Sequence, residues 1–191
     1  MTTWYTSDLH FLHKNIMKYT DRGRVLGDIS VKEHDEWLID IWNSTVKPGD
    51  TVIHLGDFAF AEEDYIRKII SRLAGQKEFI LGNHDNVKLM CKLKKDGLIH
   101  SVDQYREIRI ADTKTVLCHY PIASWNGMHR GSFMLHGHTH GSYYAEGKIL
   151  DVGLDNGYNL CDTHCFFNED MIAAYMSQKE IAIVDHHETR E

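Results

Sequence analysis

Apolar residues along this chain come in two arrangements. Some form short runs that stop at a polar, glycine-bearing turn; others recur at helical spacing over longer stretches. Residues 3–7, 51–55 and 79–81 belong to the first kind and read as buried strands, the second entered through the turn Pro48-Gly49-Asp50. Helical patterns lie between and after them. In 31–42 the spacing puts Trp37, Leu38 and Ile41 on one face, 65–73 closes at Gly75, and 87–95 ends before Gly97. Beyond about residue 100 the period shortens to that of strands, at 105–110, 115–119, 133–136, 148–152 and 164–167, and Tyr143-Tyr144 also reads as strand. Asn168 is suited to cap a helix over 169–177, and 181–184 adds a last strand. The first half therefore reads βαβαβα and the second mainly β. That order predicts a layered α/β sandwich forming one domain over 1–184, with a polar tail over 185–191 whose His186-His187 pair is solvated.

Composition narrows this picture in a few places. A chain of 191 residues can bury a sizeable core without cross-links, and two prolines leave little room for extended linkers. No stretch approaches the roughly 18 apolar residues of a membrane span. The opening Met1-Thr2-Thr3-Trp4-Tyr5 lacks the basic start and apolar stretch of a secretory signal, so a cytoplasmic location and no membrane partner are expected. Cysteines at 91, 118, 161 and 165 form neither Cys-x-x-Cys pairs nor a disulfide scaffold; reduced residues are expected, with metal binding by Cys161 and Cys165 the alternative. A formal charge of −7 works against sequence-independent binding to nucleic acid. The 14 histidines change the picture most, because many sit in clusters beside Asp, Asn or Gly.

Five such segments stand at strand ends: Ser7-Asp8-Leu9-His10, Leu55-Gly56-Asp57, Leu81-Gly82-Asn83-His84-Asp85, Cys118-His119-Tyr120-Pro121 and His136-Gly137-His138-Thr139-His140-Gly141. Open α/β sheets place their sites at those ends. Residues two apart in extended chain point the same way, so Asp8 with His10, and His138 with His140, are each expected to address one point. A strand that ends in a charged residue is costly to bury unless that residue is paired or binds metal, and convergence of the ends would satisfy all of them together.

In order, these blocks resemble those of the calcineurin-like metallophosphoesterase family, most of all its short, cap-less bacterial and phage-type members: Asp-x-His, Gly-Asp, Gly-Asn-His-Asp, His and Gly-His-x-His, from residue 8 to residue 140. The resemblance implies a four-layer αββα sandwich with metals at one edge. It implies that Asp8, His10 and His140 hold a first divalent ion, Asn83, His119 and His138 a second, and that Asp57 bridges both. A nitrogen and oxygen donor set suits manganese first, with iron, nickel, cobalt or zinc as alternatives. The implied chemistry is hydrolysis of a phosphomonoester or phosphodiester by a metal-bridging hydroxide, with His84 as general acid to the leaving group. One position departs from the protein Ser/Thr phosphatase branch: Phe60 stands where that branch has the aspartate that orients the catalytic histidine. Asp85 is the candidate orienter by adjacency.

Blander readings stand beside these. Asp57 and Asn83 also suit ordinary turns, and His119 could be a hydrogen-bonded core residue. His136 reads as a residue behind the ligands or in the core, and His54 as a buried strand residue. His13, Asn15, Arg22 and Arg24 are candidates to touch substrate; Arg suits bidentate phosphate contact, and Asp21-Arg22-Gly23-Arg24 equally suits a solvated loop. Trp125, in 120–130, would either stack on a base or pack in the core. A small phosphate ester, with a nucleotide preferred, is the expected partner. A nuclease is the runner-up and a non-catalytic scaffold of the same fold the rival of another class. Nothing in the pattern sets an oligomeric state.

Overall fold

The computed structural model describes residues 1–184. The expected polar tail and its His186-His187 pair lie outside the described residues. Two sheets are flanked by helices, as the αββα sandwich requires. The first sheet runs β4 (Ser101–Asp103), β3 (Gln76–Ile80), β2 (Thr51–His54), β1 (Thr3–Thr6) and β9 (Phe167–Asn168), all parallel except β9. The second runs β5 (Tyr105–Ile110), β6 (Thr113–Cys118), β7 (Phe133–His136) and β8 (Ile149–Asp151), with β5 antiparallel to β6.

Register positions the site. Thr6 lies level with His54 and His54 with Phe79, so β1, β2 and β3 release their chains along one edge. In the second sheet Leu117 is level with Leu135, and His136 with Asp151, so β6, β7 and β8 release theirs along one edge too. A parallel bridge from Ser7 to Gly153 joins the two edges.

Alternation of side chains fixes the layers. Tyr5, Ile53, Leu55 and Ile80 face Ile110, Leu117, Leu135, Leu150 and Val152 between the sheets, where Ile172 and Met176 of α7 (Glu169–Ser177) join them. Val52 and Phe79 point the other way, under α3 (Val31–Thr45), α4 (Glu63–Arg72) and α5 (Val87–Lys95). Helix α3 starts at a capping box in which Ser30 accepts from the Glu33 N–H and Glu33 reaches back to Ser30. Its buried face is His34, Asp35, Leu38, Ile39 and Trp42, so Trp37 and Ile41 flank the core rather than fill it. The outer face of the second sheet, Val116, Met134 and Ile149, is covered by Trp125 and Met128 next to a short 3-10 turn. Trp125 is therefore a core residue, its indole N–H donating to the Ser132 carbonyl.

Several expected elements differ. Residues 181–184 form no strand; Ala182 packs on the outer cluster beside Gly147, and Ile181 lies against Gly131 while staying exposed. Tyr143-Tyr144 is irregular, and of 164–167 only Phe167 enters a ladder. Three short helices appear where none was expected: α1 (Ile16–Tyr19), α2 (Arg22–Leu26) and α6 (Leu154–Cys161). All four cysteines are free. Among the described residues no helix is long and apolar enough to cross a membrane.

Candidate metal centre

The five loops converge on the shared edge, but not through extended backbone. Asp8, His10, Asp57, His138 and His140 all adopt left-handed φ, between 48° and 68°. Such conformations are sparsely populated by side-chain-bearing residues and persist where surrounding structure dictates them. The backbone thus coils at three of the five strand ends, which corrects the expectation of side chains aligned by period two. Asp8 and His10 still share a point; His138 and His140 address different ones.

Two donor groups result. Ligand-type atoms of Asp8, His10 and His140 lie within 4.8 Å of one another, and those of Asp57, His119 and His138 form a second group on the same criterion. Asp57 faces both. Its Oδ2 is 3.6 Å from His119 Nε2 and 3.9 Å from His10 Nε2. Asn83 joins the second group, with Oδ1 at 3.1 Å from His119 Nε2. His119 Nδ1 meets the Leu55 carbonyl at 2.7 Å, and donation there leaves Nε2 as the lone-pair nitrogen toward Asp57.

Close approach explains the glycines. A Cβ on Gly82 would sit 2.2 Å from Asp57 Oδ1, and one on Gly137 2.5 Å from Asp8 Oδ2. At Gly56, which has φ +97°, it would meet His119 Nδ1 at 2.5 Å.

The donor groups have the chemistry of a cation site. Asp8 Oδ1 and both ring nitrogens of His10 are buried with no hydrogen-bond partner among the described residues. Buried polar atoms are ordinarily satisfied, and a divalent ion would satisfy Asp8 Oδ1 together with His10 Nε2, which lies 3.7 Å from it. Burial works to raise the Asp8 carboxyl, yet the neighbouring His10, His140 and His119 hold it well below the usual carboxylate range. It is ionised, as a ligand must be.

Behind the first group stands a link that the sequence reading missed. His140 Nδ1 is 2.7 Å from Asp155 Oδ2, which turns Nε2 toward Asp8. Asp155 in turn accepts two hydrogen bonds from Arg22, at 2.7 and 2.8 Å. The same guanidinium donates to the carbonyls of Leu9 and Asp8. Arg22 is 0% exposed. Its assignment to substrate is therefore corrected: α2 buries it beneath the Asp8–His10 loop, with its fork already spent on Asp155. Burial would raise the Asp155 carboxyl, but the Arg22 charge and the His140 bond hold it well below its ordinary value. At His140 burial works downward, and Asp155 with Asp8 outweighs it, so the imidazole is raised. The acid two places beyond Val152-Gly153 was the available signal, resembling Leu55-Gly56-Asp57 with Leu154 inserted between glycine and acid.

Asp85 does not orient His84. Its carboxylate accepts from the N–H groups of Asp57, Phe58 and Gly82, locking two ligand loops together. The His84 N–H donates to Asp57 Oδ1, and its exposed ring lies with Nε2 3.9 Å from Asp57 Oδ2. Phe60 packs against that ring at 4.4 Å and stacks on His13 at 4.1 Å, so an aromatic contact holds the imidazole where a carboxylate was sought. Of the remaining candidates, His13 is half-buried beside His10, Asn15 starts α1, and Arg24 is exposed and paired with Asp21 at 3.2 Å. His136 is buried, its Nδ1 2.8 Å from the Gly137 carbonyl, and His54 is buried in β2 with Nδ1 accepting from the Gly56 N–H.

This geometry matches a known class. The calcineurin-like phosphoesterase superfamily domain covers residues 1–153, and the chain belongs to that superfamily. It is similar to the Gene 66 protein of Mycobacterium phage L5, at 32% identity over 183 residues, covering 80% of this chain and 86% of the phage protein. An uncharacterized protein of Methanocaldococcus jannaschii is 32% identical over 147 residues, covering 76% of this chain and 73% of its own. In fold it resembles a protein of unknown function from Aquifex aeolicus, with a TM-score of 0.63 at 22% identity over 91% of this chain and 98% of the other.

Proposed function

We propose that this chain is a dinuclear metal-dependent phosphoesterase acting on a small phosphomonoester or phosphodiester. The observation that carries the reading is Asp57 Oδ2, which lies between the two donor groups. Asp8, His10 and His140 would hold one ion and Asn83, His119 and His138 the other, with Asp57 common to both. The nitrogen and oxygen donors favour manganese, with iron, nickel, cobalt or zinc as alternatives. Bound there, two divalent ions supply positive charge for the phosphoryl oxygens and lower the pKa of the attacking water.

The chain's own residues do the rest. Asp155 and Arg22 hold His140 in one tautomer, and Asp85 fixes the Asp57 and Gly82 loops. His84, exposed at the mouth and a member of neither donor group, donates a proton to the leaving alkoxide, its ring steadied by Phe60. His13, stacked on Phe60, lies beside the path of the substrate.

Hydrolysis of p-nitrophenyl phosphate and bis-p-nitrophenyl phosphate by the manganese-loaded protein tests this. Turnover of at least one, abolished by chelation, is expected. No turnover of either would favour a non-catalytic scaffold.

A further inference from the structure

Helix α6 does more than hold His140. Asp155, Tyr158 and Asn159 stand at i, i+3 and i+4 and so share one helix face. That face forms one wall of a cleft of about 720 Å³, the size of a small-molecule site, which opens directly on His138 and His140 from both donor groups. Lys18, Tyr19, Thr20 and Asp21 also line it, as do Thr139 and Ser142. Neither His13, Asn15, Arg22 nor Arg24 takes part.

The lining selects its occupant. It contains no aliphatic side chain, which disfavours an acyl or alkyl arm. It offers aromatic rings: Tyr158 is stacked on His164 at 4.7 Å and 24°, and the outer ring of Tyr19 is exposed. Asn159 is exposed in this lining, and an amide can both donate to and accept from a heterocycle edge. The lining carries one Lys and no Arg beside two carboxylates, Asp21 paired with Arg24 and Asp155 paired with Arg22, in a chain of net charge −7, which suits a single nucleotide better than a polyanionic strand.

We propose that this cleft binds the nucleoside arm of the phosphate ester, the base stacking in the Tyr158–Tyr19 cleft and bonding to Asn159, with Lys18 near the sugar or a further phosphate. The assignment rests on the phosphoesterase reading, because it needs the phosphoryl group at the two donor groups.

Calorimetric titration separates the two. Manganese-loaded protein carrying His84→Ala, so that ligands survive, is titrated with inorganic phosphate, ribose 5-phosphate and the four ribonucleoside 5′-monophosphates. At least one nucleotide is expected to bind about 5- to 150-fold more tightly than ribose 5-phosphate, the range that base–aromatic stacking gives. Tyr158→Ala and the exposed Asn159→Ala should each erode that advantage and leave phosphate affinity unchanged. Nucleotides no tighter than ribose 5-phosphate, or an advantage that survives both substitutions, would overturn the cleft assignment while the metal centre stands. Failure of every phosphate to bind would bring down the phosphoesterase reading and the cleft with it.

Discussion

Asp57 has its two oxygens committed to different tasks, and the site is organised around that division. Oδ1 accepts the His84 N–H, while Oδ2 faces His10 and His119. The identity of the ligand-type residues was legible in the sequence because each stands next to a strand end, where a charge has few other uses. The residues behind them were not. Arg22 and Asp155 are 133 positions apart, their pairing exists only once α2 and α6 have docked, and Asp155 lies beyond the segment that matches the superfamily. Two residue-scale expectations follow. His84→Ala should lower kcat by ~100- to 10,000-fold and leave two ions bound, as read by steady-state kinetics with metal analysis; loss of metal together with activity would remove His84 from the acid role. Asp155→Asn leaves the Arg22 charge buried without its partner. It should destabilise the metal-free protein by about 3 kcal/mol in urea unfolding and weaken one ion about 10- to 100-fold while sparing the other.

At the level of elements, periodicity located what packs against a sheet and missed what packs against a loop. Strands 105–110 and 133–136 and helix 169–177 have the bounds read from pattern, because the first and last bury one face and the second is buried on both. Helices α2 and α6 carry Gly23 and Gly157, residues that weaken helices. They occupy their places because a Cβ would strike the Met17 carbonyl at 2.3 Å or the Cys165 carbonyl at 2.6 Å. Conversely, 181–184 had the composition of a strand but forms none: Ala182 packs on the outer cluster while Ile181, Ile183 and Val184 stay exposed. The strand-end glycines make an element-scale test. Gly82→Ala should force the Asp57 loop aside, since its Cβ would also stand 2.5 Å from the Asp57 backbone nitrogen, which no rotamer relieves. Expected is loss of manganese binding by titration with the sheets intact by circular dichroism; full metal affinity would show that the loops do not need to touch.

Over the whole molecule, burial of so many imidazoles ties stability to acidity. Burial lowers His54 to about 3 and His164 to about 4. Both rings stay neutral in the folded protein where an unfolded histidine, near pKa 6.5, takes up a proton. The unfolded state then binds more protons, so stability falls as pH drops below about 6.5. His140, raised, works in the opposite sense: its contribution is present at low pH and lost as pH rises through its folded value. The lowered rings outnumber it, since His10 and His136 are also depressed by burial. The melting temperature of metal-free protein should therefore decline from pH 6.5 to pH 4, and a flat or rising profile in chelator would refute this balance.

The two sheets meet at one edge, and the claim that matters most is what that edge holds. Anomalous diffraction from manganese-soaked crystals examines it directly. Two peaks are predicted, one among Asp8, His10 and His140 and one among Asn83, His119 and His138, with a carboxylate oxygen of Asp57 reaching both. A single peak, or two with Asp57 bound to neither, would contradict the account.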